Sequence, residues 1–255
     1  MAGAIVRGMI ASGKLSPSDI SCACGADDTG EKLSKETGIS LLPSLEEIAA
    51  SSDSIVLACK PQQLAEVASQ MGGASPRILV SILAGTTISN LRKRFPRAKK
   101  IVRVMPNMPA QISMGISCYA PESELDPDER ATVESVLSAI GEFMPVDENK
   151  LDAVTALSGS GPGYLFEFAA AMINAGEQLG FTREEAKKLT SATLLGSATL
   201  LDRSNLEADE LCAAVSSPGG TTLAALEVFK KNNFRKTVSD ALKAAAKRSR
   251  ELSQL

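Results

Sequence analysis

The run A-V-S-S-P-G-G-T-T-L-A-A-L-E-V-F-K, residues 214–230, gathers the hydroxyls of Ser216, Ser217, Thr221 and Thr222 around Pro218 and the Gly219-Gly220 pair. Pro and Gly break the chain, and Leu223, Leu226, Val228 and Phe229 follow at helical spacing, so the run reads as a loop feeding a helix N-terminus. The first amides of a helix have no intrahelical acceptor and carry the positive end of the helix dipole, and two glycines let a ligand approach that backbone closely. Such a start suits a small carboxylate. The same residues also fit a plain helix cap with Ser217 or Thr221 as N-cap.

The chain contains no histidine. That excludes His-based triads, H-E-x-x-H zinc sites and the commonest general acid-base residue. Chemistry must come from a cofactor, hydroxyls, lysines or carboxylates. The cysteines, Cys22, Cys24, Cys59, Cys118 and Cys212, are odd in number, show no C-x-x-C spacing and read as reduced thiols of a cytoplasmic protein. Cys22 and Cys24 share one face of an expected strand, but no second ligand pair accompanies them, so no metal site is expected.

With 255 residues, 44% of them hydrophobic, the chain can bury one or two cores, and Lys plus Arg 27 against Asp plus Glu 30 leaves it nearly neutral. Neither nucleic acid nor a membrane is an expected partner. No apolar run approaches the roughly 20 residues of a spanning helix, and the start, M-A-G-A-I-V-R-G-M-I, lacks the form of a signal peptide.

Behind the hydroxyl run stand elements of two kinds. Residues 1–12 carry Met1, Ala4, Ile5, Met9 and Ile10 on one helical face and stop at Gly13. Short strands at 20–24, 54–59, 78–83 and 100–104 alternate with helices at 30–37, 45–51, 62–71 and 88–95, and continuous apolar strands of this kind mean a mostly parallel sheet covered on both faces. Ligands of such folds sit beyond the carboxyl ends of the strands. Three loops occupy that rim: Cys59-Lys60-Pro61-Gln62, Ala84-Gly85-Thr86-Thr87 and Met105-Pro106-Asn107. Turn chemistry with a solvated lysine is the plainer reading of these loops. A segment at 115–119, a helix at 127–140 and a strand at 143–146 complete a Rossmann-like domain over 1–149, and 150–255 reads as all helix. The helix over 164–179 is apolar on most faces and must be buried, so 164–201 is expected to pack on a second subunit. Lys236, Lys243, Lys247, Arg248 and Arg250 read as the solvated face of a last helix whose buried side is Val238, Leu242, Ala245 and Leu252.

Together with S-S-P-G-G-T-T, the stretches V-R-V-M-P-N-M-P (102–109), V-T-A-L-S-G-S-G-P-G-Y (154–164) and A-A-K-R-S-R-E-L (245–252) resemble the pyrroline-5-carboxylate reductases, in order and with that family's spacing. The resemblance implies a Rossmann-like domain followed by an all-α dimerisation domain. It also implies hydride transfer from NADPH or NADH to the C=N carbon of pyrroline-5-carboxylate, giving proline, in a homodimer or higher homo-oligomer. It carries Ala58, Lys60, Pro61, Ala84 and Asn107 over as cofactor-binding residues. Ser217, Gly219, Gly220, Thr221 and Thr222 become substrate-binding, with Thr222 the catalytic residue whose hydroxyl lies against the ring nitrogen.

The chain departs from the family at its start, where a first strand and a glycine-rich loop would run into Met1-Ala2, and at Met108, Gly163 and Ala213-Ala214. After the second strand of the family it has Gly25-Ala26-Asp27-Asp28, whose carboxylates repel a 2′-phosphate and favour NADH. Two other readings stand beside this one. A β-hydroxyacid dehydrogenase or imine reductase relative lacks support because no lysine occurs between Lys150 and Lys187. A non-catalytic dimeric scaffold is suggested by the missing strand and loop.

Overall fold

The computed structural model describes residues 1–25 and 28–253. The chain divides into two compact units, Met1–Ser160 with Ala245–Leu255, and Gly161–Ala244. The first unit opens with α1 (Ala2–Ala11) and continues through β1 (Ser21–Cys22), α2 (Thr29–Thr37), β2 (Ser40–Leu41), α3 (Leu45–Ser51) and β3 (Ser54–Leu57). Then come α4 (Leu64–Gln70), β4 (Ile78–Ser81), α5 (Ile88–Arg94), β5 (Lys100–Met105), β6 (Gly115–Pro121), α6 (Pro127–Ser138), β7 (Gly141–Pro145) and α7 (Leu151–Val154). The second unit holds α8 (Gly161–Gln178), α9 (Arg183–Arg203), α10 (Ala208–Ala214), α11 (Thr221–Lys231) and the first part of α12 (Phe234–Leu252), whose residues from Ala245 onward belong to the first unit.

The expected single sheet is two. β1 and β2 pair with each other in parallel, and β3-β4-β5-β6-β7 form a five-stranded sheet in chain order. It is mostly parallel: β3, β4 and β5 run together, β6 turns antiparallel to β5 through Met105↔Cys118, and β7 runs parallel to β6. The two-residue β2 lies within Ile39-Ser40-Leu41-Leu42, a stretch too short to show a period.

Both faces of the central strands are buried, as their unbroken apolar runs require. Leu79 and Ile101 face a cluster that also holds Leu64, Leu91 and Leu151 from α4, α5 and α7. Ile78, Val80, Val102 and Val104 face Val133 and Leu137 of α6. Helix starts follow their caps. Asp126 accepts from the Glu129 amide at 2.8 Å and Glu129 returns a bond to the Asp126 amide at 2.9 Å, with Pro127 in the first turn of α6. Thr182 and Glu185 repeat the arrangement at α9.

Within the second unit α8 and α9 pack together and Phe234 stacks on Phe229 at 5.0 Å between centroids. Yet among its described residues only Pro162, Ala186 and Thr190 are buried. Phe166 is 59% and Leu179 81% exposed in the single chain. The expected buried side of α12 is likewise corrected for the chain taken alone: Val238 and Leu252 are exposed, and Ser249 is the buried residue. Its hydroxyl bonds Asp152 at 2.6 Å, so polar pairing fixes that turn.

Arg92 of α5 donates through Nε to Glu122 Oε1 at 2.9 Å and through Nη1 to the Ala98 carbonyl at 2.6 Å. The hydrogen bond from Arg92 holds the Glu122 carboxyl below its ordinary value of 4.5, against the opposing effect of burial. A carboxyl depressed in the folded state contributes stability that is present above its unfolded pKa and is lost as pH falls toward the folded one. Glu122→Gln is therefore expected to lower the urea midpoint at pH 7. The gap from the parent chain should shrink as pH falls below about 4.5; a gap independent of pH would refute the ion pair's contribution.

Candidate functional site

At the carboxyl ends of β3, β4 and β5 lies a cleft of about 320 Å³. Four of the five expected cofactor residues, Ala58, Lys60, Pro61 and Ala84, line it. They come together because β3 and β4 end level, Leu57 pairing with Ser81, while β5 runs two residues past Arg103, the partner of Ser81, to Met105. Ala58 and Ala84 are exposed and small, so the two rims leave the backbone accessible. Pro61 opens a short 3-10 turn whose start is closed by Gln63 Oε1 accepting from the Lys60 amide at 3.1 Å.

Met1, Cys59, Met105 and Pro106 also line the cleft. Sequence reasoning placed Cys59, Met105 and Pro106 in loops at this rim without assigning them, and read Met1 as the start of a helix. Met1 sits there as the N-cap of α1, with no side-chain cap, so the first amides of that helix start beside the cleft, where an anion is favoured. Burial pushes the Cys59 thiol up, which leaves little thiolate for nucleophilic chemistry.

Asn107 stands apart from the other four. It is not among the cleft's lining residues but follows Pro106, and it is 8% exposed. Its Oδ1 accepts from the Ile116 amide at 3.0 Å, closing the short helix of residues 108–112 onto the start of β6. The carbonyl end of this side chain is thus committed to the fold. Met108, next along, is exposed.

In the second unit the S-S-P-G-G-T-T run folds into a tight turn before α11. The Gly220 amide donates to the Ser217 carbonyl at 2.9 Å, with Pro218 and Gly219 between them and Gly219 at φ 70. Proline first and a positive-φ glycine second is the type II pattern. A Cβ on Gly220 would meet Ser217 Oγ at 2.5 Å and the Ser217 carbonyl oxygen at 3.0 Å, so a side chain there would force Ser217 to shift. The N-cap of α11 is Gly220 itself, with no side-chain cap. This corrects the plain cap reading: neither Ser217 nor Thr221 fills that role, because the glycine already takes the extended cap conformation. Ser216 donates to the Cys212 carbonyl at 2.7 Å. Ser217 and Thr221 are exposed and Thr222 is half-buried at the first turn. The structure thus gathers Ser217, Gly219, Gly220, Thr221 and Thr222 at one helix start.

Residues 148–252 match the family model "Pyrroline-5-carboxylate reductase dimerisation", and residues 1–85 match "NADP oxidoreductase coenzyme F420-dependent". The chain is 36% identical over 256 residues to a pyrroline-5-carboxylate reductase of Arabidopsis thaliana, covering 100% of this chain and 92% of the relative. It is 37% identical over 257 residues to that of Pseudomonas aeruginosa, covering 100% and 94%. The chain belongs to the pyrroline-5-carboxylate reductase family. A solved pyrroline-5-carboxylate reductase of Coxiella burnetii superposes with a TM-score of 0.91 at 33% identity, covering 99% of this chain and 94% of that one. The Plasmodium falciparum structure, with NADP bound, gives 0.88 at 28% identity, covering 98% and 93%.

Among the described residues no group of His, Cys, Asp and Glu is placed to hold a metal, and no helix is long and apolar enough to cross a membrane. Cys22, Cys59, Cys118 and Cys212 are free thiols. Of the residues expected to face the adenosine ribose, Ala26 and Asp27 lie outside the described ones. Asp28 stands at the start of α2, paired with Lys32 at 2.7 Å.

Because Asn107 is anchored to the Ile116 amide, Asn107→Leu strands a partly buried donor and is expected to cost about 1–3 kcal/mol. Asn107→Asp, which keeps the acceptor, should recover much of that loss. Equal unfolding midpoints for the leucine variant and the parent would contradict the anchoring role.

Proposed function

We propose that this chain reduces the C=N bond of 1-pyrroline-5-carboxylate to L-proline, the last step of proline biosynthesis, with NADPH or NADH as reductant. The observation that carries this reading is full-length identity to pyrroline-5-carboxylate reductases combined with an intact Ser217–Thr222 turn at the start of α11. Residues 1–149 serve as the dinucleotide-binding region and 150–255 as the helical dimerisation and substrate region. The cellular setting is the cytoplasm.

The carboxyl ends of β3, β4 and β5 and the helix start at Met1 fit an extended anionic dinucleotide. Ala58, Lys60, Pro61 and Ala84 border it, and Lys60, exposed on the rim, adds positive charge for a phosphate. When bound, the reduced nicotinamide supplies the hydride. At the α11 start the amides of Gly220, Thr221 and Thr222 hold the substrate carboxylate, and Ser217 provides a second polar contact. The Thr222 hydroxyl lies toward the ring nitrogen and orients it or relays its proton. Reduction adds one hydride to the imine carbon and one proton to the nitrogen, and a cyclic imine can take that proton from water or through a hydroxyl. No histidine is needed.

Turnover is measured as oxidation of NADPH or NADH dependent on pyrroline-5-carboxylate, with proline assayed as product. Thr222→Val is expected to lower kcat/KM by about tenfold to a hundredfold, the worth of roughly one transition-state hydrogen bond. An unchanged value would remove Thr222 from the chemistry. The carboxylates at Asp27 and Asp28 favour the free ribose hydroxyls of NADH, and a higher kcat/KM with NADPH would reject that preference.

The apolar surface left bare on α8 and α9 supports association with a second copy as a homodimer or higher homo-oligomer. Phe166→Asp, placing a charge on that surface, should shift the chain toward monomer in sedimentation velocity and lower its melting temperature. A variant that sediments as the parent does would exclude this face as the contact.

A further inference from the structure

Glu148 begins the short helix Glu148–Lys150 that precedes α7. Its carboxylate reaches back into the sheet. Glu148 Oε1 accepts from the backbone amide of Ile88 at 2.7 Å and from Arg103 Nη1 at 3.3 Å. Ile88 is the first residue of α5, directly after the loop Ala84-Gly85-Thr86-Thr87. Arg103 lies on β5 with its side chain 6% exposed, two residues before Met105, which lines the cleft.

One oxygen thus ties the end of the Ala84 loop to the strand forming the next rim of the cleft. At this end the loop is also held by burial of Thr86 and Ile88 and by a bond from the Asn90 amide to Thr87 Oγ1 at 3.2 Å. Gly85, at φ 69, adds close packing, since a Cβ there would be 3.1 Å from Leu252 Cβ.

We propose that Glu148 is a positioning residue for cofactor binding, which holds the Ala84–Thr87 loop at the dinucleotide cleft by accepting the Ile88 amide. The inference rests on the reading of that cleft as the dinucleotide site. It makes the hydrogen bond to the loop, rather than the charge on the carboxylate, the feature that sets dinucleotide affinity.

Two substitutions separate those properties. Glu148→Gln keeps an acceptor at the same reach and loses the charge opposite Arg103. Glu148→Asp keeps the charge and, one methylene shorter, loses the reach to Ile88. Dinucleotide affinity is read by fluorescence titration of NADPH and NADH, with melting temperatures recorded alongside. Glu148→Asp is expected to weaken binding about tenfold, equivalent to about 1.4 kcal/mol. It should leave kcat at saturating dinucleotide and the KM for pyrroline-5-carboxylate close to the parent's. Glu148→Gln is expected to melt lower, because the guanidinium loses its counter-charge, while binding within about twofold of the parent.

A second route to the same loss is Ile88→Pro. It removes the donor at a first helical position where proline is tolerated, after a Thr87 already extended at ψ 156. It too should weaken binding. Parent-like affinity in folded Glu148→Asp and Ile88→Pro overturns the inference, as does affinity that follows charge, strong in Asp and weak in Gln. Failure of the parent chain to bind either dinucleotide overturns the reading of the cleft and this inference with it.

Discussion

The parallel register of β3, β4 and β5 is the constraint on which the first unit depends. Leu57, Ser81 and Arg103 are cross-strand partners, so the chain leaves the sheet at one edge three times and Ala58, Ala84 and Met105 meet around one cleft. A slip of one residue would exchange the faces of every strand. Burial alone guards weakly against that, because both faces are apolar: Leu79 and Ile101 on one, Ile78 and Val102 on the other, are all fully buried. The polar residue on β5 discriminates better. Arg103 shares its face with Ile101, on the side where α5 and α7 pack, and there it meets Glu148. On the opposite face, among Val133 and Leu137, the guanidinium would lose that carboxylate and be buried unpaired, at a cost of several kcal/mol.

The second unit is organised by a different balance. Its longest helices are α8, α9 and α12, and α9 is capped by Thr182 and Glu185, but the apolar residues of the unit find few partners in the single chain. Leu165, Leu195 and Leu200 are each more than half exposed. Propensity and capping can set a helix, yet helices in water draw most of their stability from a packed face. The missing packing must come from further protein, which makes the stability of this unit a function of chain concentration.

Much of this was legible in the sequence because the signals were redundant. Unbroken apolar runs marked β3, β4 and β5, and the rim loops followed from where the runs stopped. The Pro-Gly-Gly turn was visible for a local reason, since Gly219 occupies a conformation that other residues adopt only with strain. What escaped depended on contacts distant in sequence. Nothing in S-L marks β2 as a strand, because its existence rests on pairing with β1. Asn107 entered as a cofactor residue through the family resemblance, but its bond to Ile116, nine residues on, could not be read from sequence because it is set by how β6 returns antiparallel to β5. The cap of α11 was misread for the opposite reason: Ser217 and Thr221 are good cap types, but the turn places Gly220 at that position first.

The absence of histidine then acquires a structural meaning. A general base or acid tuned near neutrality requires an environment that shifts its pKa. The shifted groups of this chain are instead carboxylates and guanidinia in surface pairs such as Arg7 with Glu36 and Arg92 with Glu122, together with thiols and a tyrosine raised mainly by burial. None of them belongs to the Ser217–Thr222 turn. In the proposed reading the work falls to fixed backbone dipoles: a tight turn with the first amides of α11, and strand ends with small side chains at the cleft. Such groups hold charge and orientation without titrating, and preorganised dipoles of this kind stabilise developing charge without reorganising during reaction. That is the form of catalysis a hydride transfer needs from its protein, because the reductant brings the electrons and an imine nitrogen on its way to an amine finds a proton readily.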